Sequence, residues 1–221
     1  MGFNVAIDGP AGAGKSTIAK IVAKEKSFIY VDTGAMYRAM AIHFINKGIS
    51  ADDSEKISEA VKDADVTIEY ADGAQQVLLN GENVTPFLRT EEVGNMASAS
   101  SVNGDVRKKL VELQQKLAET ANVVMDGRDI GTCVLPNAQV KVYLTASVDV
   151  RAERRYKELL EKGMEADLEK IKKDIEERDY RDMNRDISPL RQAEDAILVD
   201  SSNLNIEESA AAILALIDQV M

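Results

Sequence analysis

The residues Gly9-Pro10-Ala11-Gly12-Ala13-Gly14-Lys15-Ser16 match the pattern G-x-x-x-x-G-K-[ST] without a mismatch, and Thr17 follows at once. Glycines let the backbone curl so that successive N–H groups point inward at phosphate oxygens. A helix opening at Lys15 would turn its positive end toward the same anion. In that setting Lys15 reaches the β- and γ-phosphates of a nucleoside triphosphate, and the Ser16 hydroxyl is placed to ligate magnesium. Residues 9–17 are therefore the expected nucleotide cradle, and the chemistry they would serve is phosphoryl transfer from ATP. A turn that merely joins two elements is the alternative. The motif starts directly after an apolar run and opens an amphipathic one, which argues against it.

Three further constellations add charge and hydroxyls. Asp32-Thr33-Gly34-Ala35-Met36-Tyr37-Arg38 follows a second apolar run and offers a hydroxyl, a phenol and a guanidinium together; Asp32 or Thr33 also suits the cap of a helix. Asp126-Gly127-Arg128-Asp129-Ile130-Gly131-Thr132 follows a third run. Asp126 stands like the strand-end aspartate of a magnesium shell, Arg128 can grip a phosphate through two N–H groups, and Asp129 can accept from an amine. Arg151, Arg154 and Arg155 recur at i, i+3, i+4, and Arg178, Arg181 and Arg185 at i, i+3, i+7. Each set is expected to line one helix face, where gathered positive charge would favour a loose phosphoryl-transfer transition state. For any single arginine, a solvated face with its own acid partners is the competing reading.

These groups need elements to hold them. Short apolar runs at residues 3–8, 28–31, 123–125, 140–144 and 196–199 read as buried strands. Between them lie helical patterns at 15–25, at Val106, Leu110, Leu113 and Leu117, and at Ile206, Ala210, Ile213, Leu214 and Ile217. Alternation of this kind argues for an α/β fold with a parallel sheet covered on both faces. The middle departs from it. Residues 66–70 and 76–79 read as hairpin strands joined around Asp72-Gly73, with Asn80-Gly81 as a second turn, so a small antiparallel insertion is expected near 66–100. The stretch 151–186, dense in both charge signs, is expected to be a solvated, mobile pair of helices.

Composition narrows the partners. The chain has 221 residues, 45% hydrophobic and 29% charged, with a formal net charge of −11. A surface this acidic repels a polyanion, so no nucleic acid is expected as main partner. No run is long and apolar enough for a membrane span, no secretory signal is visible, and the single cysteine leaves no intrachain disulfide. A cytoplasmic monomer is expected. Asn46-Lys47-Gly48-Ile49 lacks the aspartate of a guanine-specificity motif, which disfavours a GTPase. A kinase for a small acceptor leads; a nucleotide sensor without turnover is the rival from another class. His43 reads as a partly buried or exposed helix residue, Cys133 as a small core residue and the eight methionines as packing, none of them as chemistry.

At these residues the sequence closely resembles bacterial cytidylate kinase. The likeness runs through residues 9–17, 32–38 and 126–132, then Glu177-Arg178-Asp179, Arg181-Asp182 and Asn184-Arg185, and ends with Asp200-Ser201-Ser202. It implies a single P-loop domain over 1–221, a three-layer fold with a five-stranded parallel sheet, a nucleoside-monophosphate-binding hairpin insertion near 66–100, and a helical lid near 151–186. It implies ATP bound at Gly9, Pro10, Ala11, Gly12, Ala13, Gly14, Lys15, Ser16 and Thr17, with Mg2+ held by Ser16 and Asp126. Thr33, Tyr37, Arg38, Arg128 and Arg185 would surround the acceptor phosphate of CMP or dCMP. Ser98, Arg107 and Asp129 would read cytosine, Arg178 and Asp182 would hold the ribose, and Arg151, Arg154 and Arg155 would belong to the lid. Lys15, Arg128, Arg151, Arg154, Arg155 and Arg185 are thus the expected catalytic cations. Thr33 stands where some members of the family carry serine, and the hydroxyl survives. Asp129 also has a physical reason: a carboxylate accepts from the exocyclic amine of cytosine and repels the carbonyl of uracil.

Overall fold

A computed structural model of the protein describes residues 2–71 and 74–221. In chain order the elements are β1 (Asn4–Asp8), α1 (Lys15–Lys26), β2 (Ile29–Asp32), α2 (Thr33–Asn46), α3 (Ser54–Val61), β3 (Val66–Ala71), β4 (Ala74–Leu79), β5 (Glu82–Asn83), α4 (Glu91–Ser100), α5 (Gly104–Thr120), β6 (Val123–Gly127), β7 (Val140–Thr145), α6 (Val148–Glu161), α7 (Leu168–Asn184), β8 (Ile197–Asp200) and α8 (Ile206–Asp218). A 3-10 turn covers Thr85–Phe87, and a single π-helical turn covers Ile130–Val134. The chain divides into two compact units, Met1–Tyr30 with Ala121–Met221 and Val31–Thr120.

The parallel sheet, in the order β2-β6-β1-β7-β8, belongs to the first unit except for Val31 and Asp32 at the end of β2. The apolar runs become strands because nearly every side chain of β1, β6 and β7 is buried, as in a sheet covered on both faces. β1 lies between β6 and β7, with Ile7 opposite Asp126 and Asp8 opposite both Gly127 and Tyr143. That register brings the start of the glycine-rich loop beside the end of β6. Val5, Ile7, Val124, Val142 and Leu144 pack against Ile18 and Val22 of α1 and Ile213 and Ile217 of α8. α8 opens with a capping box in which Asn205 and Glu208 bond each other's backbone N–H.

The second unit contains the expected hairpin. β3 and β4 pair antiparallel from Val66↔Leu79 to Ala71↔Ala74, and the two-residue β5 joins β4. The Asp72-Gly73 turn lies outside the described residues, whereas Asn80 and Gly81 both take positive φ (51° and 83°), as a tight turn requires. The antiparallel part ends at Asn83. Beyond it, Thr90 caps α4 through a 3.3 Å bond from the Val93 N–H, with Glu91 and Glu92 in the first turn. α2 is the spine: Met36, Met40 and Phe44 are fully buried, and the helix packs on α4, α5, α3 and β4.

Two expectations change. His43 is buried rather than exposed or half-buried; its Nε2 lies 3.1 Å from the Ala60 carbonyl, and burial followed by the nearby Lys47 charge pulls its pKa down. Residues 151–186 do form two helices, but Arg151, Ile175, Asp179 and Asp182 are buried, so the pair is solvated on one side only.

Candidate active site

The loop after β1 is fixed by backbone demands. Gly9 has φ of 149°, and a Cβ there would lie 1.9 Å from the Leu144 carbonyl oxygen, so no side chain fits. Gly14, at φ 86°, turns the chain into α1. Lys15 is 5% exposed and donates 2.7 Å to the Pro10 carbonyl, curled back over its own loop. Burial, then the charge of Arg128, pushes its pKa well down; Asp126, Asp182 and Asp8 act in the opposite sense.

Behind the loop, the Ser16 hydroxyl donates 2.9 Å to Asp126 Oδ2, and the Tyr30 phenol donates 2.8 Å to Asp126 Oδ1. Among the described residues no group of three or more His, Cys, Asp or Glu could form an all-protein metal cage. One hydroxyl beside one carboxylate instead fits Mg2+, which keeps most of its shell for phosphate oxygens and water. Sequence reasoning missed Tyr30. Its signal was a lone phenol in an apolar strand, but its partner lies 96 residues away.

At the end of β6, Arg128 Nε donates 2.8 Å to Asp182 Oδ2 of α7. Burial would raise the Asp182 pKa, but Arg128, Arg178 and Arg185 outweigh it and hold the carboxyl below its ordinary 3.8. Asp129 Oδ1 lies 3.4 Å from Arg185 NH2, and both side chains are almost fully buried. α7 ends at Asn184, and Arg185 is extended (φ −69°, ψ 144°). It therefore leaves the helical face expected for it with Arg178, and its Nε donates to the Ser188 carbonyl at 2.8 Å. Arg181 is exposed.

Arg151, Arg154 and Arg155 share a helix but not a target. Arg151 donates to the carbonyls of Ala146 (2.9 Å) and Ala11 (2.8 Å) and pairs with Asp179 at 2.6 Å. Asp179 also accepts 3.3 Å from the Ala11 N–H, so α6 and α7 are both tied to the glycine-rich loop. Arg154 donates to the Ser201 hydroxyl and carbonyl at 3.2 and 2.7 Å. Arg155 is about half exposed and pairs with Glu158 one turn on. Neither Asp179 nor Asp8 was singled out from sequence. Asp8 accepts from the Ile130 and Gly131 N–H groups, both at 2.7 Å, and burial pushes its pKa up to about 6. Cys133, expected in the core, is only half-buried.

The second unit brings together its own set. Asp32 Oδ1 caps α2 by accepting from the Ala35 N–H at 2.9 Å, and Oδ2 pairs with Arg89 at 2.7 Å. Gln75 of the hairpin bonds the backbone of Asp32 in both directions, at 2.8 and 3.3 Å. Thr33 is buried and Tyr37 and Arg38 are half-buried along the first two turns of α2. The Arg107 guanidinium lies 5.8 Å from the centroid of the Tyr37 ring. Its NH1 donates 3.4 Å to the Ser101 carbonyl, while the Ser101 hydroxyl donates 2.8 Å to that of Ser98. Tyr37, Ser98 and Arg107 thus form one cluster. A groove of about 640 Å3 between α3 and α5, lined by Glu55, Glu59, Lys62, Lys108 and Lys109 among others, holds none of the expected residues.

A glycine-rich phosphate loop at the carboxyl end of the central parallel strand, backed by a serine–aspartate pair, is the construction of a P-loop kinase. The cytidylate kinase family model matches residues 5–219, and the chain belongs to that family. It is 50% identical over 219 residues to the cytidylate kinase of Caldicellulosiruptor saccharolyticus, covering 99% of this chain and 97% of that one. To the cytidylate kinase of Bacillus subtilis it is 48% identical over 217 residues, covering 98% and 97%. Its structure also aligns with that of a sugar kinase from a Janibacter species, with a TM-score of 0.51 and 14% identity over 99% of this chain and 95% of that one. This last likeness is one of fold. No helix among the described residues is long and apolar enough to cross a membrane.

Proposed function

We propose that the protein transfers the γ-phosphate of ATP to CMP or dCMP, giving CDP or dCDP and ADP. Of the geometry, one observation carries this reading furthest. Arg128 and Asp129 stand side by side at the end of β6, each with a countercharge 2.8 or 3.4 Å away. One is a cation suited to the acceptor phosphate; the other is a carboxylate that can only accept, as a reader of the cytosine amine must.

In the proposed reaction a phosphate oxygen of CMP attacks the γ-phosphorus in line. The bond to the β–γ bridging oxygen breaks, and its electron pair leaves with ADP. The attacking group is already an anion, so no strong general base is required. Lys15 swings from the Pro10 carbonyl to the β- and γ-phosphates, and Arg128, Arg151, Arg154, Arg155 and Arg185 supply further positive charge. Thr33, Tyr37 and Arg38 bind the acceptor phosphate, Ser98 and Arg107 join Asp129 in reading the base, and Arg178 and Asp182 hold the ribose. Ser16 and Asp126 hold Mg2+, which when bound neutralises charge on the β- and γ-phosphates. The reading is of a cytoplasmic, monomeric enzyme, with the lid over 151–186 excluding water and the hairpin insertion at 66–100 serving the monophosphate.

Transfer of label from γ-labelled ATP to CMP tests the reaction. The expected product is labelled CDP. Label found only in inorganic phosphate would contradict it.

A further inference from the structure

Asp129 stands at the N-cap of the π-helical turn Ile130–Val134, where an aspartate ordinarily bends its carboxylate onto the second or third N–H of its own helix. It makes no such bond. The N–H groups of Ile130 and Gly131 go instead to Asp8, one to each carboxylate oxygen, both at 2.7 Å. Asp8 belongs to β1, 122 residues earlier than Ile130, and is 5% exposed. We propose that Asp8 is a positioning residue for substrate selection: it caps the turn in place of Asp129 and so keeps the Asp129 carboxylate turned toward the acceptor base.

Two observations support the substitution of one cap for the other. The Gly131 N–H is the group that a self-capping Asp129 would use, and Asp8 Oδ2 already holds it. Asp8 and Asp129 repel, since the charge of Asp129 is among the influences that raise the Asp8 pKa. Gly131 borders the same carboxylate: a Cβ there would press on Lys141 Cδ at 3.2 Å and touch Asp8 Oδ2 at 3.4 Å, an ordinary contact. The same carboxylate ends the strand that leads into the phosphate loop. Donor cradle and base reader therefore meet at one residue, whose backbone leads into the loop and whose side chain holds the turn.

The inference rests on Asp129 reading the base, and the test separates the two. kcat/KM for CMP and for UMP is measured for the intact chain and for Asp8→Asn, Asp129→Asn and the double variant. Asparagine at position 8 keeps one acceptor and sets an amide N–H against a backbone N–H. The CMP-to-UMP ratio should fall about tenfold in Asp8→Asn, as a misplaced reading group costs. The double variant should show no further fall beyond Asp129→Asn, because both act through one group. Gly131→Ala, which sets a Cβ against Asp8 Oδ2 and presses on Lys141 Cδ while keeping every charge, should lower the ratio about threefold and serves if Asp8→Asn does not fold. An unchanged ratio in Asp129→Asn would overturn the base reading, and this inference with it. A reduced ratio in Asp129→Asn, with Asp8→Asn and Gly131→Ala slowing both acceptors equally, would overturn the positioning role alone.

Discussion

Replacing Arg128 with alanine should damage stability and turnover by separable routes. Arg128 Nε holds Asp182 Oδ2 at 2.8 Å, with side chains 19% and 9% exposed. Stripping one partner from a buried ion pair costs about 3–5 kcal/mol because the other charge is left desolvated. Here Arg178 and Arg185 also favour the Asp182 charge. Their help and the residual exposure of the site reduce the expected loss to about 2–3 kcal/mol. For a chain of this length that is a Tm lower by about 5–10 °C. Adding Asp182→Asn removes the stranded charge and should return about half of the lost stability. Turnover should behave differently: a missing transition-state cation costs at least ~100-fold, and neutralising Asp182 cannot replace it. Urea unfolding and steady-state kinetics on Arg128→Ala, Asp182→Asn and the double variant decide. An Arg128→Ala protein as stable as the parent would refute the buried-pair argument. A double variant that regains turnover would refute the catalytic assignment of Arg128.

Other expectations follow from the same geometry. Asp126→Asn weakens the set offered to Mg2+ by Ser16 and Asp126, so the Mg2+ concentration for half-maximal activity should rise; an unchanged requirement would remove Asp126 from the metal shell. Gly9→Ala drives a Cβ to within 1.9 Å of the Leu144 carbonyl at a φ of 149°, and should abolish ATP binding or folding; normal ATP affinity by calorimetry would contradict the loop geometry. Asp8 titrates near 6 in the fold against an ordinary 3.8. Its ionised form therefore costs stability at neutral pH, about 3 kcal/mol, and stability is regained as the pH falls from above 6 toward 3.8. Asp182, held below 3.8, has the opposite sign: its stabilisation is present above 3.8 and is lost as the pH drops through its folded value. Unfolding free energies between pH 3 and 8 should show both limbs, and Asp8→Asn should flatten the upper one only.

The sequence was most legible where chemistry needs neighbours in the chain. The phosphate loop is a contiguous pattern, and the structure builds it where the pattern begins and ends. The hairpin was readable from the short runs at 66–70 and 76–79, with Asn80-Gly81 marking the second turn. α4 was readable in principle, through Thr90, Glu91 and Glu92, but the hairpin signal beside it drew the whole segment into one expectation. What pairs across the chain was hidden. Tyr30 meets Asp126 and Asp8 meets Ile130 only because β2 and β1 flank β6, and Arg154 meets Ser201 only because β8 lies beside β7. Strand order is set by packing, which residue spacing does not carry. Arg185 shows the limit of periodicity: i+7 places it on the face of Arg178 only if the helix continues, and α7 stops one residue before it.

The central claim is that this chain phosphorylates a cytidine monophosphate, and ADP release from Mg-ATP tests it most directly, with CMP, dCMP, UMP, AMP and shikimate supplied separately. Strong stimulation by CMP and dCMP, with little from the others, is the expected result. Stimulation by a different acceptor would contradict the base-reading assignment of Asp129, and no stimulation by any of the five would contradict the kinase itself.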